Sequence, residues 1–281
     1  MHTIRNLLAD ARKGEVVLLP RGRHTTTIVL RQSLSLVAQH DVALIGDEGS
    51  AVMVVGGDVV LEGLTLVTSR AFSGAGLFVT NGARVRLRDC RIERNSAPGF
   101  GGGAIFADSG ELTLERCTIV NNLGARGGAL ALDGTARVTL SDCVFDGNHA
   151  GVGHVLYLRD GAELKAEGCT FRTRMPDGPL FAASGTTTRR PELTLARCII
   201  EGPAGSPLFE GSVRSLPPRL RVYESLLSTL ACSGQVELDA RGCEEGCATW
   251  VDDDCTQPLA DGSLGRGLVA RAADVPKNDG G

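Results

Sequence analysis

The sequence is poor in aromatic residues. Eight Phe, two Tyr and one Trp make up 4% of its 281 residues, too few for a core assembled around large rings. No run approaches the roughly 18 consecutive apolar residues of a membrane-spanning helix, so none is expected. Apolar residues three and four apart, the mark of an amphipathic helix, are confined to the first dozen positions, which sets aside helical repeats. Charge of one sign is lacking as well. The 29 basic and 33 acidic residues leave a net charge of -4, with no general attraction to nucleic acid or to an anionic membrane. A nucleophile elbow, a phosphate loop and a dinucleotide fingerprint are all missing. The opening MHTIRNLLADARKGE has neither a long apolar run nor a small-residue cleavage site, so no signal peptide is visible in it.

Glycine, by contrast, is abundant, with 37 residues, and cysteine is periodic. Cys90, Cys117, Cys143, Cys169 and Cys198 are separated by 27, 26, 26 and 29 residues, and each stands in the same local sequence: VRLRDCRI, LTLERCTI, VTLSDCVF, LKAEGCTF, LTLARCII. A sixth copy, LRVYESLL, carries Ser225 at the cysteine position. Self-similarity at a fixed period of this size marks stacked supersecondary units. Within one unit Val85 and Leu87 alternate with Arg86 and Arg88, the period of a strand. Cys90 and Ile92 continue the inward set after a shift of one residue, which predicts a bend or bulge near Asp89. A polar stretch with Asn95, a glycine run and a second strand, GAIFADSG, complete the turn. Two or three short strands in about 26 residues predict one coil of a parallel β-helix. The leucine-rich repeat is the nearest rival, and its consensus frame does not fit.

Stacked coils turn alignment columns into ladders. Leu87, Leu114, Leu140, Ala166, Leu195 and Val222 are expected to form one buried column, and Ile92, Ile119, Phe145, Phe171, Ile200 and Leu227 another. Asn95, Asn122 and Asn148 predict an amide ladder at a corner. Arg84, Glu111, Arg137 and Glu163 alternate in sign at one outward column, which reads as cross-strand charge pairing.

These residues resemble the right-handed parallel β-helix superfamily, the pectin-lyase-like fold, and are most similar within it to surface repeats of the polymorphic outer-membrane-protein type. Those repeats couple a GGAI element to an F-x-x-N element. Gly102-Gly103-Ala104-Ile105 and Gly127-Gly128-Ala129-Leu130 match the first, and Phe145-Asp146-Gly147-Asn148 matches the second. The resemblance covers about residues 15–230. It implies an all-β, single-stranded right-handed parallel β-helix of about seven to nine coils. Residues 1–14, with Ile4, Leu7 and Leu8, are expected as an N-terminal capping helix, 15–231 as the β-helix and 232–281 as a cysteine-containing C-terminal segment and tail.

The superfamily includes lyases, hydrolases, adhesins and fibres, so function is argued from candidate sites. The sharpest catalytic arrangement is Asp89 and Asp142 with Arg116 on the turn between them, about 9–10 Å apart by strand spacing, which suits an inverting hydrolase. Surface charge alternating for solubility is the simpler reading. Glu93, Asp146 and Glu201 share another column, interrupted by Val120 and Arg172. A lyase of this fold would add calcium; otherwise no cofactor or metal is expected. His149 and His154 read as solvated loop histidines. Along the second strand, Leu77, Ile105, Leu130, Leu156, Leu180 and Leu208 are read as inward. Phe78, Phe106, Tyr157, Phe181 and Phe209 are then outward, an aromatic face for glycan or protein. Inverted parity or a covering tail would make it core instead. Cys232, Cys243, Cys247 and Cys255 are expected to form two disulfides in an oxidising compartment, with a four-thiolate zinc site as the alternative. Asp252-Asp253-Asp254 beside Cys255 reads as a solvated acidic loop, with calcium attraction as the alternative.

The resulting expectation is a non-catalytic surface or secreted protein that binds polysaccharide or protein through a strand face. A carbohydrate-active enzyme, a polysaccharide lyase or glycoside hydrolase, is the first alternative. A self-assembling subunit joined through the aromatic face is the second.

Overall fold

The computed structural model describes residues 4–245, apart from 176, 204–205, 213–215 and 229–231. Every described strand pairing is parallel, as coils stacked along one axis require. Each coil contributes a first limb such as Glu111–Glu115 and a second limb such as Thr118–Val120, both in an eighteen-stranded sheet. A strand such as Leu130–Asp133, in a nine-stranded sheet on the other wall, closes the coil. Ser96–Ala97, Leu123–Arg126 and His149–Val152 form a three-stranded third wall restricted to the middle coils.

The parity shift near Asp89 is a left-handed backbone corner. Asp89, Arg116 and Asp142 have φ of 51°, 51° and 53°, and Gly63, Gly168 and Gly242 hold the same place in other coils with φ of 69°, 63° and 62°. One residue in this conformation bends the strand and returns the next residue, the cysteine, to the interior. A second corner of the same kind precedes the asparagines, with Arg94, Asn121 and Gly147 at φ of 53°, 55° and 61°.

The register pairs both aliphatic columns as the repeat predicts: Leu87, Leu114, Leu140, Ala166, Leu195 and Val222 stack, as do Ile92, Ile119, Phe145, Phe171, Ile200 and Leu227. All are buried. Phe145 and Phe171 lie ring on ring at 4.9 Å. The five ladder cysteines are buried thiols, each donating to the carbonyl two residues back, as Cys143 does to Ser141 at 3.3 Å. Ser225 makes the same bond to Tyr223 at 2.7 Å, so a hydroxyl replaces the thiol without loss of the contact. Burial raises the Cys143 and Cys169 thiols well above their ordinary range, which keeps them protonated and unreactive. On the outside Arg84 pairs with Glu111 at 2.9 Å and with Asp58 at 3.5 Å, and Arg137 pairs with Glu163 at 3.7 Å.

The Asn ladder is complete. Asn95 Nδ2 donates to Asn122 Oδ1 at 3.0 Å, and Asn122 Nδ2 donates to Asn148 Oδ1 at 2.9 Å. Each Oδ1 also accepts the backbone N–H of the coil below, and each Nδ2 reaches a carbonyl of the adjoining coil. All three amides are shut away from solvent. Asn122→Leu strands the N–H and Nδ2 of Asn95 and the carbonyl of Ile92. It is expected to cost about 2–3 kcal/mol in urea unfolding, given the penalty for buried unpaired groups; a loss below about 0.5 kcal/mol would show that the ladder is not holding the corner.

The solenoid is capped at its start by the helix Ile4–Ala9, with Ile4 buried and Leu7 and Leu8 packed on the core. At the other end the coil continues beyond the expected boundary at 231. Glu237–Arg241 and Glu244–Glu245 stack on the preceding limbs. Cys243 occupies the ladder position of one more coil, partly buried, its thiol donating to Val222 at 3.4 Å. Cys232 pairs in register with Phe209 and packs against the core. No two described cysteines are bonded to one another. Cys247, Cys255 and the acidic run 252–254 lie outside the described residues.

Candidate functional site

Of the corner acids expected as a catalytic pair, Asp89 is engaged by the arginine between them. Asp89 accepts two hydrogen bonds from the Arg116 guanidinium, both at 2.8 Å, in a half-exposed ion pair. Asp89, Arg116 and Asp142 all occupy the left-handed corner. Aspartate tolerates that conformation better than most side chains, which accounts for its presence there without any chemistry.

The aromatic face divides. Phe78 and Phe106 stand on the outer surface of the nine-stranded sheet in register with Ala131 and Tyr157. Phe181, however, pairs with Leu156 and Phe209 pairs with Phe181. Both rings point inward and are fully buried, which corrects the outward assignment. Phe181 meets the edge of Phe171 at 5.2 Å, filling the core where the coils hold phenylalanine on the opposite wall. The remaining rings are not an open platform. Phe78 and Phe106 stack on each other at 5.4 Å, Phe100 closes edge-on over Phe106, and Phe106 is 7% exposed. Arg126 lies between the Phe100 and Tyr157 rings at 5.3 and 5.7 Å, and Arg159 is clamped by both oxygens of Asp133.

The second limb carries a different constellation. Asp146, Arg172 and Glu201 lie on successive coils at one outward position. Arg172 is buried, its side chain 3% exposed, although it points away from the aliphatic core. Its Nε and Nη2 donate to the two oxygens of Asp146, both at 2.7 Å. Asp146 itself keeps 22% of its side chain exposed. On the far side of Arg172, Glu201 Oε2 is shut off from solvent with no hydrogen-bond partner, and so is Thr170 Oγ1, two residues before Arg172 on the same face. Burial raises the proton affinity of Glu201, against the opposing pull of Arg172 and Arg174. Native structures seldom leave such atoms unpaired, and the exceptions gather at sites of chemistry. One carboxylate is thus held by two charge-assisted hydrogen bonds from arginine, and burial raises the proton affinity of the other. Environments that push two carboxyl groups apart in this way divide acid from base.

The column of Asp146 and Glu201 is visible in the sequence, but Arg172 reads there as an interruption. Its burial converts it into the link. The histidines are also corrected: His149 and His154 are paired, their Nδ1 atoms 3.1 Å apart, and His154 is fully buried. Among the described residues, no cluster of three or more His, Cys, Asp or Glu is arranged to hold a metal ion, and no helix is long and apolar enough to cross a membrane.

Two solved structures share this architecture. A pectin methylesterase from Yersinia enterocolitica superposes with a TM-score of 0.55 at 11% identity, over 93% of this chain and 95% of that one. A pectin methylesterase mutant in complex with a hexasaccharide gives a TM-score of 0.55 at 12% identity, over 100% of this chain and 94% of that one. At such identities the likeness is one of fold. No curated protein matches the sequence. The family described as "Right handed beta helix region" matches residues 37–200, more than half of the chain; this protein belongs to the right-handed β-helix family.

Proposed function

We propose that the protein is a carbohydrate-active hydrolase whose reacting groups are Glu201 and Asp146, supported by Arg172. The observation that carries this reading is the buried arginine between two carboxyl groups of unlike character, one of them with a sealed and unpartnered oxygen. In this reading Arg172 orients Asp146, which takes a proton from the attacking water. Glu201, whose proton affinity is raised by burial, gives a proton to the leaving oxygen. The balance is one water added across the scissile bond, with the proton gained by Asp146 restoring that lost by Glu201. Two coils of about 4.8 Å separate the two acids by about 9–10 Å, near the upper end of the spacing that leaves room for a water beneath a sugar.

The fold neighbours support a carbohydrate substrate, since both are pectin methylesterases and one holds a hexasaccharide. A polysaccharide is the corresponding partner, and an extracellular or cell-surface setting is the one that goes with this reading. Binding alone, through the aromatic face, is less well supported because two of its five rings are core and a third is covered.

The test is incubation with neutral, uronic-acid and methyl-esterified polysaccharides, with and without calcium, scored by mass spectrometry. Shortened or de-esterified product is expected from at least one polymer without added calcium. The absence of product from every polymer would overturn the assignment.

A further inference from the structure

The third wall ends at a feature that the hydrolytic site does not use. His149 opens the strand His149–Val152, and His154 stands just past the corner at Gly153. The Nδ1 atoms stand 3.1 Å apart, the ring centroids are 4.9 Å apart and the ring planes are inclined by 21°. The two imidazoles are stacked with an offset and meet at their Nδ1 atoms. Two imidazole nitrogens bound to one metal at about 2.0–2.1 Å stand about 2.9–3.4 Å apart at bond angles of roughly 90–110°. The observed separation falls within that bite.

The surroundings suit a ligand pair. His154 is 1% exposed, while His149 is half-exposed and gives access from solvent. The backbone N–H of Ala150 also donates to His154 Nδ1, at 3.4 Å, so this nitrogen is the acceptor in its contact with His149. The proton of His154 then sits on Nε2, which is buried without a hydrogen-bond partner. Asp177 is close enough to act on His154 through space.

We propose that His149 and His154 chelate one divalent first-row transition metal through their Nδ1 atoms. The ion takes the place of the single proton between the two nitrogens, and that proton moves to Nε2 of His149, so both rings stay neutral. No third protein ligand stands with the pair among the described residues, so water or an incoming ligand completes the coordination. Such a site is open and exchangeable, and the order of divalent-metal affinities makes copper(II) the strongest probe.

The test uses the full chain, stripped with a chelator and titrated with copper(II) by calorimetry and electron paramagnetic resonance. One equivalent bound through two nitrogen donors is expected. His149→Ala, at a half-exposed position, should fold as the wild type does by circular dichroism and lose that equivalent. His154→Gln should lose it also, but its burial makes His149→Ala the deciding variant. Binding that survives His149→Ala, a spectrum showing sulfur donors in place of two nitrogens, or no binding at all would overturn the assignment. These readouts are independent of polysaccharide hydrolysis, so the metal site and the hydrolytic site fail or stand separately.

Discussion

Glu201→Gln is expected to lower polysaccharide turnover by about 10²- to 10⁴-fold, the usual contribution of a positioned acid, while leaving the fold intact. Glutamine keeps the shape of the side chain and removes only its exchangeable proton. The loss should fall on kcat more than on KM, since proton donation is made only in the transition state. The variant also reports on protonation. Burial raises the pKa of Glu201 above its ordinary value of 4.5, so the folded chain holds this proton more tightly than the unfolded one. The associated stability is fully present below the ordinary glutamate range and declines as pH rises through the raised pKa. Glu201→Gln should remove that decline and be at least as stable as wild type near neutral pH. Urea midpoints measured across the acidic range check this. Unchanged turnover, or a pH slope identical to wild type, would separate Glu201 from the chemistry.

Arg172→Ala should be the most destabilising change on the outer surface of the second limb, at about 3–5 kcal/mol. That is the scale for removing one partner of a buried ion pair. The side chain is 3% exposed and satisfies both oxygens of Asp146. Without it, Asp146 keeps its charge and loses its donors, while Glu201 loses a nearby positive charge. A paired substitution is the control. Asp146→Leu with Arg172→Met removes both charges and retains volume, so it should recover most of the stability and none of the activity. If Arg172→Ala unfolds within about 0.5 kcal/mol of wild type, the pair is a surface contact and the division into acid and base loses its basis. The comparison separates the two roles of Arg172, which a single substitution would confound.

The solenoid was readable because its physics repeats. Each coil must put the same kinds of side chain at the same places, so Leu87, Cys90, Ile92 and Asn95 announce themselves by recurrence. The corner was legible as a bend, from the parity change near Asp89, but its left-handed backbone was not. Errors came where recurrence was matched to the wrong neighbour. Aligning PLFAAS with VLYLRD by leucine places Phe181 outward. Counting from the corner glycine gives the observed register, with the inward residue three positions on: Gly102 to Ile105, Gly127 to Leu130, Gly153 to Leu156 and Gly178 to Phe181. The reason is steric. At Gly127 φ is 61° and an added Cβ would lie 2.0 Å from the Leu130 carbonyl oxygen, so the backbone at the corner sets the phase of the strand after it.

The site was harder to read for the opposite reason. Its properties do not repeat: an arginine that is buried in one coil stands where valine lies in another and glutamate in a third. Sequence shows the column but carries no measure of which charges are withdrawn from water. The same limit hid the histidines. Their contact is made across a glycine corner, and nothing in the spacing of His149 and His154 distinguishes a paired imidazole from a solvated one.

The third wall has a consequence for the order in which the molecule assembles. Among the described residues its strands lie in the middle coils, where the Asn ladder also runs. In a solenoid each coil is stabilised chiefly by its neighbours, so a chain of unequal links is expected to nucleate at the strongest and spread in both directions. The segment around residues 95–152 is therefore the expected seed. The capped start and the last coils are expected to join it afterwards and to be the first to exchange their amide hydrogens on unfolding.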